Sequence, residues 1–478
     1  MSTSTTEFEA RQLSLPKPLH TVSPHIDSLL YDAVSNSLAL RHSDSSYSLY
    51  PSFFPLSLAS FPSPQFLVPS PTSSATFIHL RTAASSNTIT LFLVSSPVDR
   101  TTAALLRFYI LRGGRFVKIR VVSSHRDLEF DRARFGAVFR VNHGVSMKLY
   151  GGINVFSLYS VSNSKIWVFS LRLLGDEGAG ETLKLMKCAV IDCHSPVYAV
   201  GFSFGFLILG EDNGVRIFPL QPLMKGNHRK EKKIGGTRNN LRNGSTNGTD
   251  VAKVGNGVKL RTVKLRQGSK DVGAFFVAFE DKDVEDSMSM KMSRRSVKAI
   301  SIQALSAHYY VVLDNTGDVH LLSLSYSLQG LDNSLLMKRL TLTMKVLKMA
   351  AFHDVSKVTQ TIWISDGCHS VHLMMVPDMD TFFGKTEKKD SNEKLLQTSV
   401  TQAIFSSEKI QEIVPLAANA ILILGQVKYV CLCDCLNLHD VLFRKWIVLW
   451  RWINASDTSY YVFSRRTLGL SMSNDDTF

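Results

Sequence analysis

One serine stands in a spacing that is typical of a catalytic nucleophile, since Gly201, Ser203 and Gly205 form a G-x-S-x-G motif. In hydrolases that use this motif, the serine lies on a sharp turn between a strand and a helix. Here the motif is followed by "FLILGEDNGVRIFPL" (206–220), two apolar runs around an Asp-Asn-Gly turn. That pattern predicts a further strand and a hairpin. We therefore predict that Ser203 is a turn residue between two strands and not a nucleophile.

Three cysteines and a histidine lie close together in "VCLCDCLNLH" (430–439). Cys431, Cys433, Cys435 and His439 carry the thiolate and imidazole groups that bind zinc. Their spacing matches no zinc-binding pattern, whereas alternate residues of a strand share one face of a sheet. We expect these cysteines to pack in a core or at a sheet edge, with metal binding as the less favoured alternative.

Other motifs for catalysis and cofactor binding are absent from the sequence. The glycines of "GDEGAGE" (175–181) fit neither the dinucleotide-binding nor the P-loop spacing, and no His-Glu-x-x-His pair occurs. His194 is predicted to lie in a loop that precedes a strand. We therefore predict a protein that is not an enzyme, with no catalytic, cofactor-binding or metal-binding residues.

Short antiparallel strands must position any binding residues in this chain. Residues 197–220, "VYAVGFSFGFLILGEDNGVRIFPL", alternate as a strand, turn near Gly205 and turn again at Asp212-Asn213-Gly214. Residues 297–324, "VKAISIQALSAHYYVVLDNTGDVHLLSL", follow the same plan. Comparable units occupy 25–52, 75–112, 153–173, 360–376 and 410–434. About seven units of three or more strands are typical of a closed β-propeller, although packed β-sandwiches would give a similar rhythm of strands and turns.

The repeats resemble those of WD40 β-propellers, in which the third strand of a repeat commonly ends in Trp-Asp. The equivalent segments here are "IWVFSL", "VRIFPL" and "VHLLSL", so that Phe169, Phe218 and Leu322 stand in place of the tryptophan. The Gly-His pair that opens a standard repeat is also missing. The resemblance implies an all-β fold, a single degenerate WD40-like propeller with seven blades.

The repeats and the segments between them predict the organisation of the chain. We expect an N-terminal segment over 1–18, propeller blades 1–4 over 19–222 and blades 5–7 over 296–440. A basic, low-complexity insertion over 223–295 separates the two groups of blades, and a tail of unclear structure follows over 441–478. In WD40 proteins an N-terminal strand commonly completes the last blade, so 8–15 is a candidate closing strand beside 428–434. The alternative is that the tail around 441–463 supplies the outer strand and leaves the N-terminus free.

The basic character of the protein is concentrated in one segment. The chain carries a net charge of +14, of which residues 225–270 contribute +11 from thirteen basic and two acidic residues. A segment with so few apolar residues is expected to be disordered. Within it, Arg229, Lys230, Lys232 and Lys233 are candidates for a nuclear import signal or for phosphate contacts. The alternative is a solvated insertion without a role, and the scarcity of aromatic residues argues against a dedicated single-strand binder.

Composition also indicates where the protein acts. The N-terminus has no apolar signal region, no apolar run is long enough to cross a membrane, and the six cysteines are expected to be reduced. We therefore predict a protein of the nucleus, the cytoplasm or both. The predicted function is a scaffold or adaptor that binds other proteins through the faces and rim of the propeller. A nucleic-acid-associated nuclear factor that uses residues 225–270 is the alternative.

Overall fold

A computed structural model describes most of the chain and is almost entirely β-structure. It describes residues 7–13, 26–54, 64–81, 87–99, 102–142, 146–175, 180–225, 262–269, 272–279, 296–324, 335–352, 360–376, 400–406, 408–417, 420–428 and 443–453. One short helix, α1 (Leu220–Lys225), occurs in these ranges. It is neither long enough nor apolar enough to cross a membrane.

The strands are short, and tight turns connect many of them. In chain order they are β1 (Glu7–Leu13), β2 (Ile26–Asp32), β3 (Ser37–His42), β4 (Tyr47–Tyr50), β5 (Phe66–Val68), β6 (Ser74–Arg81), β7 (Thr88–Asp99), β8 (Ala103–Arg112), β9 (Arg115–Lys118), β10 (Arg120–Ser123), β11 (Leu128–Asp131), β12 (Gly136–Arg140), β13 (Met147–Gly151), β14 (Val155–Ser160), β15 (Lys165–Leu174), β16 (Thr182–Asp192), β17 (Ala199–Ser203), β18 (Phe206–Glu211), β19 (Gly214–Pro219), β20 (Val263–Arg266), β21 (Phe275–Ala278), β22 (Ala299–Ala304), β23 (Tyr309–Asp314), β24 (Val319–Leu324), β25 (Leu335–Arg339), β26 (Lys348–Phe352), β27 (Gln360–Ser365), β28 (Ser370–Val376), β29 (Val400–Phe405), β30 (Lys409–Ala417), β31 (Ala420–Lys428) and β32 (Phe443–Ile453).

Hydrogen bonding joins the described strands into seven sheets, numbered here along the chain. Sheet I contains β2–β5, sheet II β6–β9 with β11 and β12, sheet III β13–β16 with β10 and β20, sheet IV β17–β19 and β21, sheet V β22–β25, sheet VI β26–β29 and sheet VII β30–β32 with β1. Strands that hairpins connect run antiparallel, whereas β10 and β20 pair in parallel with β16.

One strand of each sheet lies innermost, and we count the strands of a sheet outward from it. β2, β6, β13, β17, β22, β26 and β30 contact one another in that order, and β30 returns to contact β2. The sheets therefore surround a common axis and the ring is closed. The prediction of a single all-β propeller is confirmed.

An apolar core lies between each pair of neighbouring sheets. Between sheets II and III, the rings of Phe156 and Phe169 stack with centroids 4.8 Å apart, and Phe139 meets Phe169 edge-on at 5.3 Å. Phe169, Phe218 and Leu322, which occupy the positions of the missing tryptophans, are completely buried. These positions require a large apolar side chain, and in this chain phenylalanine and leucine supply it.

The last sheet joins the two ends of the chain. β1 pairs with β32, with Phe8 opposite Trp452, and β32 in turn pairs with β31. The N-terminal segment therefore lies in the same sheet as residues 409–428, as predicted, with Phe443–Ile453 between them. Residues 429–434 of the predicted partner strand lie outside the described residues. The two strands that the sequence offered as alternatives are both present in this sheet.

Part of the basic insertion is folded, so the prediction that 225–270 is disordered is wrong for residues 262–269. Residues 272–279, later in the 223–295 insertion, are folded as well. β20 pairs in parallel with the end of β16, and β21 is the fourth strand of sheet IV. In β20, buried Val263 and Leu265 alternate with exposed Lys264 and Arg266, which is the pattern of a half-buried strand. Arg229, Lys230, Lys232 and Lys233 lie outside the described residues.

We predict that removal of residues 1–16 destabilises the ring, because β32 would lose all seven of its pairings with β1. An unpaired edge also promotes association between molecules. The melting temperature should fall by about 2 °C or more, which corresponds to ~2 kcal/mol for a ring of this size. Removal of residues 1–5 alone is the control and should change nothing. An unaltered melting temperature and solubility after removal of 1–16 would show that closure does not depend on β1.

Candidate protein-interaction face

Three apolar side chains project from turns at one end of three of the sheets. Val34, Ile153 and Phe204 are 58%, 45% and 43% exposed, respectively. Each lies in the turn that joins the first strand of a sheet to the second, in sheets I, III and IV. We call the surface that carries these turns the 1–2 face, and the opposite end, where the second and third strands are joined, the 2–3 face.

The turn that carries Val34 is fixed by the carboxylate of Asp32, which is 5% exposed. This carboxylate accepts hydrogen bonds from the backbone N–H groups of Val34 (3.4 Å) and Ser35 (3.2 Å), and from the Ser35 hydroxyl at 2.5 Å. His79 Nε2 (2.7 Å) and the Thr90 hydroxyl (3.2 Å), both from sheet II, also donate to it. Asp32 thus holds its own turn and the next sheet together.

The turn that carries Ile153 is held by the amide of Asn154. The side-chain oxygen of Asn154 accepts from the backbone N–H of Arg81, and its Nδ2 donates to the Arg81 carbonyl, both at 2.9 Å. The backbone N–H of Asn154 donates to the His79 carbonyl at 2.8 Å. Asn154 has a φ of 57°, a left-handed conformation that asparagine adopts more readily than most residues. The turn is therefore fastened to the inner strand of sheet II.

The turn that carries Phe204 is the one that contains the G-x-S-x-G motif. Ser203 ends β17 and pairs with Phe206 of β18, so that Phe204 and Gly205 form a two-residue hairpin turn. Their φ values of 45° and 86° are those of a turn with positive φ at both central positions. The prediction of a turn is confirmed, because a strand follows Ser203 where a nucleophile elbow requires a helix.

The three turns follow one another around the inner rim. Asp32 contacts His79, and His79 forms a parallel bridge with Ile153. Gly152 lies so close to sheet IV that a Cβ atom on it would be 2.8 Å from the Cβ of Phe202, two residues before Phe204. Contacts through His79 and Gly152 therefore connect the turns of sheets I, III and IV; residues 82–86, in the corresponding connection of sheet II, lie outside the described residues.

Other polar groups of the described residues serve the ring. His194 lies in the loop after β16, as predicted, where the backbone N–H groups of His194 and Ser195 donate to the side-chain oxygen of buried Gln267. A groove of about 640 Å³ on sheet II is lined by Glu129 and Arg140, which pair at 2.7 Å, and by Asp131 and Arg134, at 3.6 Å. Within the described ranges, no group of three His, Cys, Asp or Glu side chains could hold a metal ion. Cys431, Cys433, Cys435 and His439 lie outside those ranges.

The exposed residues Val34 and Ile153 were missed by the sequence analysis. Both stand in turn segments, "DAVSNS" and "GGINV", where a polar residue is the usual choice. An apolar residue within a segment of turn-forming residues is the sequence pattern that could have indicated their exposure.

We predict that Asp32→Asn destabilises the protein in a pH-dependent way. Burial raises the pKa of Asp32, but hydrogen bonds and charge attraction from His79, with the Ser35 and Thr90 hydroxyls, bring this pKa below its usual value. A lowered pKa means that the charged form stabilises the fold above about pH 4 and that this contribution is lost as the pH falls through the pKa of the folded state. The substitution should lower the free energy of unfolding by about 1–3 kcal/mol at pH 7.

Urea unfolding of both proteins at pH 7, 5 and 3 measures this effect, and the difference between them should shrink at pH 3. Glu129→Gln, on a residue whose ion pair with Arg140 is exposed to solvent, is the control and should change the free energy of unfolding by less than about 1 kcal/mol. A difference that is the same at all three pH values would contradict a role for the carboxylate charge.

Comparison with known proteins gives similarity of fold alone. No protein-family model and no curated protein sequence matches the chain. Among solved structures, the β-propeller domain of Myceliophteria thermophila Cps50 (Swd1) is 8% identical with a TM-score of 0.44, over 90% of this chain and 97% of that one. The WD40 repeats of RRP9 are 8% identical with a TM-score of 0.41, over 93% of this chain and 97% of that one. U3-55K is 8% identical with a TM-score of 0.40, over 92% of this chain and 98% of that one.

The assignment of the fold depends on the topology of the sheets themselves. Mainly antiparallel sheets of four or more strands surround one axis, and an N-terminal strand completes the last of them. The fold of this chain is that of a single β-propeller.

Proposed function

We propose that the protein is a non-enzymatic scaffold and that its 1–2 face binds another protein through Val34, Ile153 and Phe204. The observation that carries this proposal is the exposure of three apolar side chains on adjoining, firmly held turns. Burial of one such side chain against a partner contributes roughly 1.5–3 kcal/mol. Three of them could therefore supply the central anchors of an interface.

The way in which these turns are held also supports binding. Asp32 and Asn154 fasten the Val34 and Ile153 turns to the neighbouring sheet, so that little conformational entropy remains to be lost on association. Arg81, which is exposed beside Asn154, adds a polar group at the edge of the apolar surface. An apolar centre with a polar rim is the usual composition of a protein-binding surface.

The proposal includes a ring of seven blades, each formed by one sheet. Three observations support this number: the seven sheets, the cyclic contacts of their inner strands, and seven core clusters, each of which lies between two neighbouring sheets. A closed ring of this kind presents its turns on a rigid support. We expect this scaffold to act in the nucleus, the cytoplasm or both.

A second candidate function is nucleic-acid binding by the basic segment, and β20 favours it. Lys264 and Arg266 project from the outer edge of sheet III, directly after the basic residues of 226–261. A groove of about 620 Å³ beside them is lined by His194, Gly268 and Ser269 as well. Phosphate groups could be contacted at this edge without selection of base sequence.

Affinity purification tests the scaffold proposal through the triple variant Val34→Ser, Ile153→Ser and Phe204→Asn. Asparagine is chosen at 204 because it tolerates a positive φ. Protein partners that the wild type recovers reproducibly should be lost or reduced about tenfold in the variant. The control, Val117→Ser with Val161→Ser, removes comparably exposed side chains elsewhere and should keep them. Recovery of the same partners by the triple variant would refute the proposed face.

Salt-dependent binding of a nucleic-acid duplex tests the second candidate. Deletion of 226–261 removes the basic segment and spares β20, and it should flatten the fall of log affinity with log salt concentration. Lys264→Ala with Arg266→Ala should lower affinity further. Lys118→Ala, on exposed β9, is the control for loss of a surface charge. Equal affinity and equal salt dependence of wild type and deletion variant would exclude this function.

A further inference from the structure

The 2–3 face carries an apolar patch of its own at sheet VI. Leu347, in the connection that leads into β26, is 54% exposed, and Phe405, at the end of β29, is 74% exposed. Phe405 is the most exposed large apolar side chain among the described residues. Both residues lie on the side of the ring opposite to Val34, Ile153 and Phe204.

The turn between β27 and β28 joins these two residues into one surface. The backbone N–H of Leu347 donates to Ser365 at 2.8 Å, and a Cβ atom on Gly367 would lie 3.0 Å from the Leu347 side chain. On the other side of the turn, Phe405 pairs with Ser370, and the N–H of Ser406 donates to the His369 carbonyl at 2.8 Å. Leu347 and Phe405 thus flank a single turn.

Two lysines adjoin this apolar surface. Lys348 begins β26 and Lys409 begins β30, and both side chains are exposed. β26 and β30 are neighbouring inner strands that contact each other, so the two lysines start adjacent strands at the same end of the ring. Neither forms an ion pair with another described residue.

The nearby acidic groups are less exposed than these lysines. Asp366 is half-buried, and its carboxylate accepts hydrogen bonds from the N–H groups of Cys368 (2.8 Å) and Ser370 (3.2 Å). Glu408 precedes Lys409 and is also half-buried. The outward surface of the patch is therefore apolar at its centre and positive on its inner side.

We propose that this patch, formed by Leu347, Lys348, Phe405 and Lys409, binds an acidic peptide segment of a partner protein. An apolar side chain of the peptide packs between Leu347 and Phe405, and carboxylates on either side of it bind the two lysine ammonium groups. A ligand that is both acidic and apolar matches the surface in charge and in hydrophobicity. The opposite face plays no part in this binding, so failure of the function proposed for that face leaves this proposal standing.

Single-stranded nucleic acid is the competing ligand, since Phe405 could stack a base. Such binding uses successive aromatic rings along a continuous basic groove. The patch carries one phenylalanine, with the imidazoles of His369 and His372 beside it, and Asp366 and Glu408 are nearby acidic groups. These features favour the peptide.

Fluorescence anisotropy of the full chain with a labelled probe peptide, GSDEFLDEGS, tests the proposal. Lys348→Glu with Lys409→Glu should weaken binding by about tenfold or more, since two ion pairs are lost and repulsion replaces them. Leu347→Ser with Phe405→Ser should weaken it to a similar extent. Arg115→Glu with Lys118→Glu, which reverses two exposed charges on the rim, is the control and should bind the probe as the wild type does.

A reversed probe, GSKKFLKKGS, separates specific pairing from general loss of the surface. It should bind the Lys348→Glu, Lys409→Glu variant better than the wild type, and equal melting temperatures show that each variant is folded. Unchanged affinity of either double variant for the acidic probe would overturn the proposal. Tighter binding of a single-stranded oligouridylate than of the acidic probe would overturn it as well.

Discussion

Every sheet of this protein has two apolar faces, and each face needs a neighbouring sheet to cover it. An open row of sheets would leave one face bare at each end, so the ring is stable only when the last sheet meets the first. Here that meeting is made by Leu416, Leu422 and Leu424 of sheet VII, which pack against Leu29 and Leu38 of sheet I. The Glu412 carboxylate adds a hydrogen bond from the Leu29 N–H at 2.6 Å. Closure is therefore both an apolar contact and a polar one.

The same constraint confines binding to the ends of the sheets. Because both faces of a sheet are covered, apolar residues within the strands are consumed by the core, as Phe169 and Phe218 are. Apolar residues stay exposed mainly in turns, at strand ends and in short strands such as β9, which carries Val117. Val34 and Leu347 illustrate this on opposite ends of the ring. Such an arrangement leaves exposed apolar side chains at both ends of the ring.

Much of the fold could be predicted from the sequence because hairpins are local. Unit 297–324 could be read directly, since the turn residues between Asp314 and Asp318 separate strands that pair with each other. The pairing of β20 with β16 could not be predicted, because more than seventy residues separate Val263 from Ala189. The alternation of β20 is also only four residues long and lies in a basic segment, so it did not stand out as a strand. β32 was offered only as the alternative outer strand, for another reason. Its apolar residues fall on consecutive positions, as in "WIVLW", so no alternation marked it as a strand. The candidate site was harder still, because exposure of Ile153 depends on the sheet beside it.

Loss of the Trp-Asp signature does not loosen the ring, because polar side chains join neighbouring inner strands directly. The Gln303 amide of sheet V donates to the Met349 carbonyl and accepts from the Ala351 N–H of sheet VI, at 2.9 and 2.8 Å. Asn154 makes the same two-bond contact with Arg81 between sheets III and II. Each of these amides satisfies one N–H and one carbonyl at the open edge of an inner strand, groups that would otherwise need water. The ring thus requires an apolar residue of sufficient size between sheets and a partner for each exposed edge, and neither requirement specifies a tryptophan or an aspartate at a fixed position.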